Sequence, residues 1–339
     1  MPLIPFLHQV AARHDLTAQD AQAAMQIILA GEATPTQIAA FLVALRMKGE
    51  SVGELAGFAR AMRLVARPVN APGPLIDTCG TGGDGCGTFN ISTVAAFVIA
   101  GAGVRVAKHG NRSISGGPGS ADLMESLGVR ISQDPEQMAR AIEEVGIAFL
   151  FAPAIHMATK HAQPVRVELK MRTVFNLLGP LTNPAGATAQ LVGAPSEATA
   201  ELMAGALAEL GLERGFVVHG SDGLDEITTT GHTVAFEIRA GQIERRILEP
   251  EHFGVRTATL ADLKGGDAME NRDIARAVLA GEVGPRRDIV LVNASAALVA
   301  AGRAASFAEG MSLAAGSIDS GAAQAKVDLL ARFTSRSDG

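Results

Sequence analysis

The segment Asp77-Thr-Cys-Gly-Thr-Gly-Gly-Asp-Gly-Cys-Gly-Thr-Phe-Asn-Ile-Ser-Thr93 joins the apolar run Leu75-Ile-Asp-Thr78 to the all-apolar Val94-Ala-Ala-Phe-Val-Ile-Ala100. The pattern predicts a buried strand, a glycine-rich turn and a buried helix. Gly80, Gly82, Gly83, Gly85 and Gly87 let the backbone approach a ligand closely and turn its N–H groups inward. Asn90, Ser92 and Thr93 fall at the helix start, where unpaired amides and the helix dipole favour an anion. These parts together make a phosphate cradle. It lacks the Gly-Lys-Ser/Thr of a P-loop and the glycine spacing of a dinucleotide fingerprint. A lone glycine turn with a Ser/Thr cap would be an ordinary loop; the flanking strand and buried helix favour a ligand site.

Working outward, Val104-Arg-Val-Ala107, Ile147-Ala-Phe-Leu-Phe151, Gly215-Phe-Val-Val-His219 and Asp288-Ile-Val-Leu-Val-Asn293 each resemble a buried strand. Helical stretches lie between them, which predicts an α/β fold: a large lobe with a mostly parallel central sheet flanked by helices. Thr233–Ile238 and Gln242–Leu248, joined by Arg239-Ala-Gly241, read as a hairpin. Residues 1–66 carry no strand pattern and predict a small all-helical N-terminal lobe. Thr17, Thr34 (before Pro35) and Ser51 (with Glu54 three residues on) mark three helix starts. Arg67-Pro-Val-Asn-Ala-Pro-Gly-Pro74 is a linker, so the expected division is 1–66, joined by helices from about 160–185, and an α/β lobe over 74–339.

Composition narrows the function. The 339 residues hold 29 basic and 35 acidic side chains, a net charge of −6, which argues against nucleic-acid tracks and anionic membranes as partners. No Trp or Tyr is present to stack bases. The start Met1-Pro-Leu-Ile-Pro5 lacks an export pattern and the run Val94–Val104 is too short for a membrane span, so a cytoplasmic location is expected. Cys79 and Cys86 have no His partner nearby and read as small packing residues rather than metal or redox groups.

Three further segments carry chemistry. Lys108-His-Gly-Asn-Arg-Ser-Ile-Ser-Gly-Gly-Pro-Gly-Ser120 again follows a strand; Lys108 and Arg112 can neutralise phosphate oxygens, and Ser113, Ser115 and Ser120 can donate to them. For Arg112 alone a solvated surface role is nearly as good a reading. Beyond another strand, Asp225 and Glu226 offer hard oxygens suited to Mg²⁺ shared with a phosphate, whereas Asp222 reads as a turn former. If Pro164 opens a helix, Glu168 and Arg172 form an i,i+4 pair and Arg166 lacks a local acid. An unpartnered arginine suits a ligand carboxylate, although a tertiary salt bridge is the commoner fate. His156 and His161 could equally be packing residues.

In this order, Gly80-Thr-Gly-Gly-Asp84, Thr88-Phe-Asn-Ile-Ser-Thr93, Lys108-His-Gly-Asn-Arg-Ser113, Phe175-Asn-Leu-Leu-Gly-Pro-Leu-Thr-Asn-Pro184 and Asp222-Gly-Leu-Asp-Glu226 closely resemble the anthranilate phosphoribosyltransferases. The resemblance runs over nearly the whole chain. It implies transfer of the phosphoribosyl group of phosphoribosyl pyrophosphate to the amine of anthranilate, releasing pyrophosphate, in tryptophan biosynthesis. It also implies a homodimer formed through the helical lobe. The donor would contact Gly80, Gly83, Asp84, Thr88, Asn90, Ile91, Ser92, Thr93, Lys108, His109, Gly110, Asn111, Arg112, Ser113, Ile114, Ser115, Gly116 and Ser120. Ser92, Asp225 and Glu226 would hold two Mg²⁺, while Asn111 and Arg166 would hold anthranilate, with Gly80, His109, His156 and Gly179 lining its approach.

Two stretches depart from the family: Gly116-Gly-Pro118 replaces a Ser/Lys-rich run, and Met157-Ala-Thr159 replaces the usual Pro-Ala-Met near the anthranilate entrance. An aromatic amine is unprotonated near neutrality, so no residue is assigned as catalytic base; His109 is the nearest candidate. Alternatives are a transferase for another aromatic amine, a nucleoside phosphorylase and a non-catalytic nucleic-acid-binding relative. The intact Asp225-Glu226 pair argues against the last two.

Overall fold

The computed structural model describes residues 2–113, 117–132 and 134–336. Four helices open the chain: α1 (Ile4–Ala11), α2 (Ala18–Leu29), α3 (Pro35–Lys48) and α4 (Val52–Val65). Their starts are chemically marked. Thr17 accepts from Asp20 N–H, and Thr34/Gln37 and Ser51/Glu54 form reciprocal capping boxes that satisfy orphan amides. Glu54 is wholly buried and accepts from Leu16 N–H (2.9 Å) and Lys48 Nζ (2.8 Å), which ties α3 and α4 to the α1–α2 connection.

Seven strands come next: β1 (Ile76–Gly80), β2 (Val106–Gly110), β3 (Ile147–Phe151), β4 (Ala189–Gly193), β5 (Arg214–Gly220), β6 (Thr233–Arg239) and β7 (Gln242–Leu248). They form one sheet in the order β3-β2-β1-β4-β5-β6-β7, parallel from β3 to β5 and antiparallel beyond. The β6–β7 turn is Ala240-Gly241, both at positive φ (48° and 78°), the geometry a two-residue hairpin needs. From β1 the chain winds outward to β2 and β3; it then returns to β4 on the other side of β1 and winds the opposite way. A crevice at the strand C-termini, between β1 and β4, is therefore the topological switch point where α/β folds bind ligands.

Both faces of the sheet are covered, and alternate residues of one strand serve different cores. Phe216 and Val218 face a core built with α5 (Ile91–Gly101) and the helices over 285–335, while Val217 faces a core shared with α2–α4 and helix Glu197–Glu209. Asp288–Asn293 is corrected by the structure: it lies in helix Pro285–Ala300, not in a strand. Every residue from Ile289 to Ala300 is buried, so no polar face remains to reveal the helical period, and a short apolar run reads equally as strand. The sequence reading also missed β4, whose Ala-Gln-Leu-Val-Gly is a brief, weakly β-forming run that pairing with β1 and β5 stabilises.

Candidate active site

Three crossover turns meet at the switch point. The loop after β1 carries the glycines, β2 carries Lys108 and His109 near its C-terminal end, and the loop after β5 carries Asp225-Glu226. The acidic segment has no regular structure and rests on the ends of β1 and β4. A Cβ on Gly193 would lie 1.5 Å from the Asp225 carbonyl oxygen, and one on Gly80 would lie 2.3 Å from Asp225 Oδ2. Gly80 and Gly193 are register partners, so this paired absence of side chains is what lets the acidic segment cross the sheet end. Gly82 N–H donates to Asp225 Oδ2 (2.9 Å), and Ser92 N–H, in the first turn of α5, donates to Glu226 Oε1 (3.1 Å). The anion at this helix N-terminus is thus the chain's own carboxylate. Lys108 Nζ donates to the Thr78 carbonyl (2.5 Å) and Ser92 Oγ (3.4 Å), so the glycine loop, Lys108 and Glu226 share one rim.

Electrostatically, Lys108 and Arg172 do not offset what burial and mutual repulsion cost the acidic pair. Burial, reinforced by neighbouring Asp84, pushes the Asp225 carboxyl up to about 6. Burial and the Asp225 charge push Glu226 up to about 8, against the pull of Lys108. Lys108, only 1 % exposed, is lowered by its own burial, and Asp77 opposes that shift. Asp77 accepts from His109 N–H (3.0 Å) and Asn183 Nδ2 (2.8 Å), which fixes β2 against β1. Carboxylates destabilised by burial and by each other despite these cations, and offering only hard oxygens, fit Mg²⁺. Among the described residues no three His, Cys, Asp or Glu side chains form a metal cage, the usual arrangement when substrate phosphates complete the shell.

Two buried imidazoles, His109 and His156, meet edge to face with ring centroids 5.1 Å apart. His109 Nδ1 lies 3.0 Å from the Gly179 carbonyl, which can only accept, so the proton sits on Nδ1 and Nε2 presents a lone pair. Among the described residues Nε2 is buried without a hydrogen-bond partner. Burial lowers His109 to about 3, with His156 contributing, and His156 to about 4, so both rings are neutral. Arg166, on helix Gln163–Leu169, lies over the Phe175 ring (5.1 Å) and donates to Gln163 Oε1 (3.2 Å); no carboxylate among the described residues pairs with it. Burial lowers its pKa.

Other expected site residues serve the loops themselves. Asp84 Oδ1 accepts from Cys86 N–H, and Thr88 bridges to Lys264. Asn90 links Pro118 to Asn271, while Ile91 and Thr93 are buried in α5. Gly110 leaves room for Ser120 Oγ, which donates to the Asn111 carbonyl. Arg112 is half-exposed and forms salt bridges with Asp122 (2.6 Å) and Glu125 (2.7 Å), so its charge is already matched. Ser113 closes the described part of this loop; Ile114, Ser115 and Gly116 lie outside the described residues. Asp222 is a turn former as expected, accepting from Leu224 N–H and from Thr228 and Thr230 hydroxyls.

The expected Glu168–Arg172 pair does not form. Helix Gln163–Leu169 stops at Lys170, whose φ of 49° is left-handed, and Arg172 turns away to donate from Nη1 to the carbonyls of Gly82 (2.8 Å) and Gly83 (3.1 Å). Asn293 was also missed. Buried in helix Pro285–Ala300, it grips Ile227 through both backbone groups (2.9 Å each) and anchors the acidic pair from behind. The sequence signal was a lone amide inside an apolar run, since a buried amide requires partners.

Residues 72–324 match the glycosyl transferase family, a/b domain, and residues 4–66 match its helical bundle domain. The chain is 68 % identical to anthranilate phosphoribosyltransferase of Solibacter usitatus (strain Ellin6076), over 98 % of this chain and 99 % of that one. Its structure superposes on that of anthranilate phosphoribosyltransferase from Thermus thermophilus with a TM-score of 0.93 at 45 % identity, covering 99 % and 100 % of the two chains. The Saccharomyces cerevisiae enzyme in complex with PRPP and Mg matches with a TM-score of 0.91 at 28 % identity, over 98 % of each chain. The same yeast enzyme in complex with 4-fluoroanthranilate matches at 0.88 and 28 %, again over 98 % of each chain. By fold, by the rim that joins its three turns and by these likenesses, the chain belongs to the anthranilate phosphoribosyltransferase family.

Proposed function

We propose that this protein joins anthranilate to C1 of phosphoribosyl pyrophosphate and releases pyrophosphate, the second step of tryptophan synthesis from chorismate. The observation that carries the reading is the shared rim: glycine loop, α5 N-terminus, Lys108 and the Asp225-Glu226 pair all meet within hydrogen-bond distance. The donor's pyrophosphate would lie on that rim, contacting the loop from Gly80 to Thr93 and the segment from Lys108 to Ser120. Two Mg²⁺, held by Ser92, Asp225 and Glu226, would neutralise charge that builds on the leaving pyrophosphate.

The chain's own groups do the rest. Lys108 supports Ser92 and Glu226 from below, a preorganised charge that needs no rearrangement as the C1–O bond breaks. Arg166 and Asn111 would hold the anthranilate carboxylate, with Gly80, Gly179, His109 and His156 around the ring. The attacking amine forms the N–C1 bond and gives its proton to water. His109 Nε2, a lone pair of low basicity, would orient an amine N–H rather than remove it.

The wider assembly belongs to the same proposal. A homodimer through the helical lobe would cover apolar side chains that stand exposed there, Met47 (70 % exposed) and Leu64 (65 %). The division into a helical lobe, 1–66 with helices from about 160–185, and a donor-binding lobe, 74–339, is part of it, as is a cytoplasmic location. No helix among the described residues is long and apolar enough to cross a membrane. The test is anthranilate fluorescence followed with donor and Mg²⁺ added and omitted in turn. Loss of signal should require both; loss without the donor, or none with everything present, overturns the reading.

A further inference from the structure

We infer that Arg172 is a positioning residue that couples the donor and acceptor subsites by tying the glycine-rich loop to the segment bearing the anthranilate-facing groups. The inference rests on the function proposed above. Lys170 ends helix Gln163–Leu169 in a left-handed conformation, and this bend swings Arg172 off the helix axis and across the crevice. One guanidinium nitrogen, Nη1, then bridges two consecutive carbonyls, Gly82 (2.8 Å) and Gly83 (3.1 Å). Both glycines have positive φ (68° and 72°), a backbone course that depends on outside support because it has no ladder of its own. From the opposite side Asp225 Oδ2 takes the Gly82 N–H, so the loop is clamped between an arginine and a carboxylate.

The residues C-terminal to Arg172 build the acceptor side. Val174 and Phe175 are buried; the Phe175 ring lies beneath Arg166, and Gly179 holds His109 through its carbonyl. Any movement of the loop as pyrophosphate binds is therefore passed, through Arg172 and a short buried stretch, to Arg166 and His109. Among the described residues Arg172 Nη2 is buried without a hydrogen-bond partner, so the guanidinium reaches the loop through Nη1. Coupling is reciprocal: pyrophosphate that tightens anthranilate binding is tightened by it equally.

The test is an equilibrium titration of anthranilate by its fluorescence, with and without saturating inorganic pyrophosphate and Mg²⁺, a pair that cannot react. In the unaltered protein pyrophosphate should tighten anthranilate by about fivefold or more, the lower end of coupling factors. Arg172→Met should keep the affinity of the free protein within about twofold and lose that factor. Arg172→Leu, which likewise removes every side-chain donor, should behave like Met, and it replaces Met if circular dichroism shows that the Met variant does not fold. An unchanged factor in the folded variant overturns the inference, as does absent coupling in an unaltered protein that binds both ligands. A variant that cannot bind pyrophosphate at all also overturns it, because Arg172 would then be a donor-binding group. If the unaltered protein binds neither ligand, the functional proposal has failed instead.

Discussion

Charge and desolvation at single residues set the sharpest expectations. Asp225→Asn combined with Glu226→Gln removes the buried negative charge while keeping shape, so turnover should vanish with the circular dichroism spectrum unchanged; near-normal turnover at saturating Mg²⁺ contradicts the metal assignment. Arg166 has a ring beneath it and no acid partner among the described residues. Arg166→Ala should raise KM for anthranilate about 10- to 100-fold, the worth of charge-assisted hydrogen bonds of about 1.5–3 kcal/mol, and leave the donor KM little changed. Equal effects on both would contradict its role. His109 and His156 titrate near 3 and 4 when folded, against 6.5 for a free imidazole. A depressed folded pKa gives stability that is complete above 6.5 and lost as pH falls toward the folded values. Tm should therefore drop from pH 7 to about 4.5, and drop less in His109→Gln/His156→Gln. Parallel Tm curves would show that the two imidazoles are not what acid disrupts.

Between elements, contact distance decides more than chemistry. The acidic segment lies on the ends of β1 and β4 because Gly80 and Gly193 offer no Cβ, and Asn293 holds Ile227 from the helix behind. Gly193→Ala puts a Cβ 1.5 Å from a backbone oxygen that no rotamer change can move. The acidic segment must then shift by about 1.5 Å or more, beyond the 1 Å misplacement that can cost about 100-fold in rate. We expect that loss in kcat with most of the Tm retained, measured by initial rates and calorimetry; a fully active Gly193→Ala protein would mean that the segment does not depend on this approach.

Across the whole molecule, the helical lobe and the sheet are not separate cores. Val192, Val217, Val234, Phe236 and Ile238 share a cluster with residues of α2–α4, and Gly205 of helix Glu197–Glu209 brings that helix against Val52 of α4. Each fully buried apolar side chain contributes about 1.5–3 kcal/mol, so uncovering even a few compares with the 5–15 kcal/mol that holds a protein folded. A fragment of residues 72–336 should therefore bind a hydrophobic dye and be cleaved rapidly by protease, while the full chain melts in one calorimetric transition. A compact, dye-free fragment would show that the sheet does not need this cover.

The features that sequence alone determined are local. Caps at Thr17, Thr34 and Ser51, the strand–glycine–helix unit at 75–100 and the β6–β7 turn each depend on neighbours within a few residues, so they were legible, as was the Asp225-Glu226 pair beyond its strand. Burial on every side erased the period of Ile289–Ala300, so that helix looked like a strand until its packing was seen. Partner choice was likewise left to the fold. Arg172 abandoned Glu168 for two glycine carbonyls ninety and eighty-nine residues away, and Arg112 found Asp122 and Glu125. Side chains bond to what the topology brings within 3 Å, and only the order β3-β2-β1-β4-β5 brings these turns together.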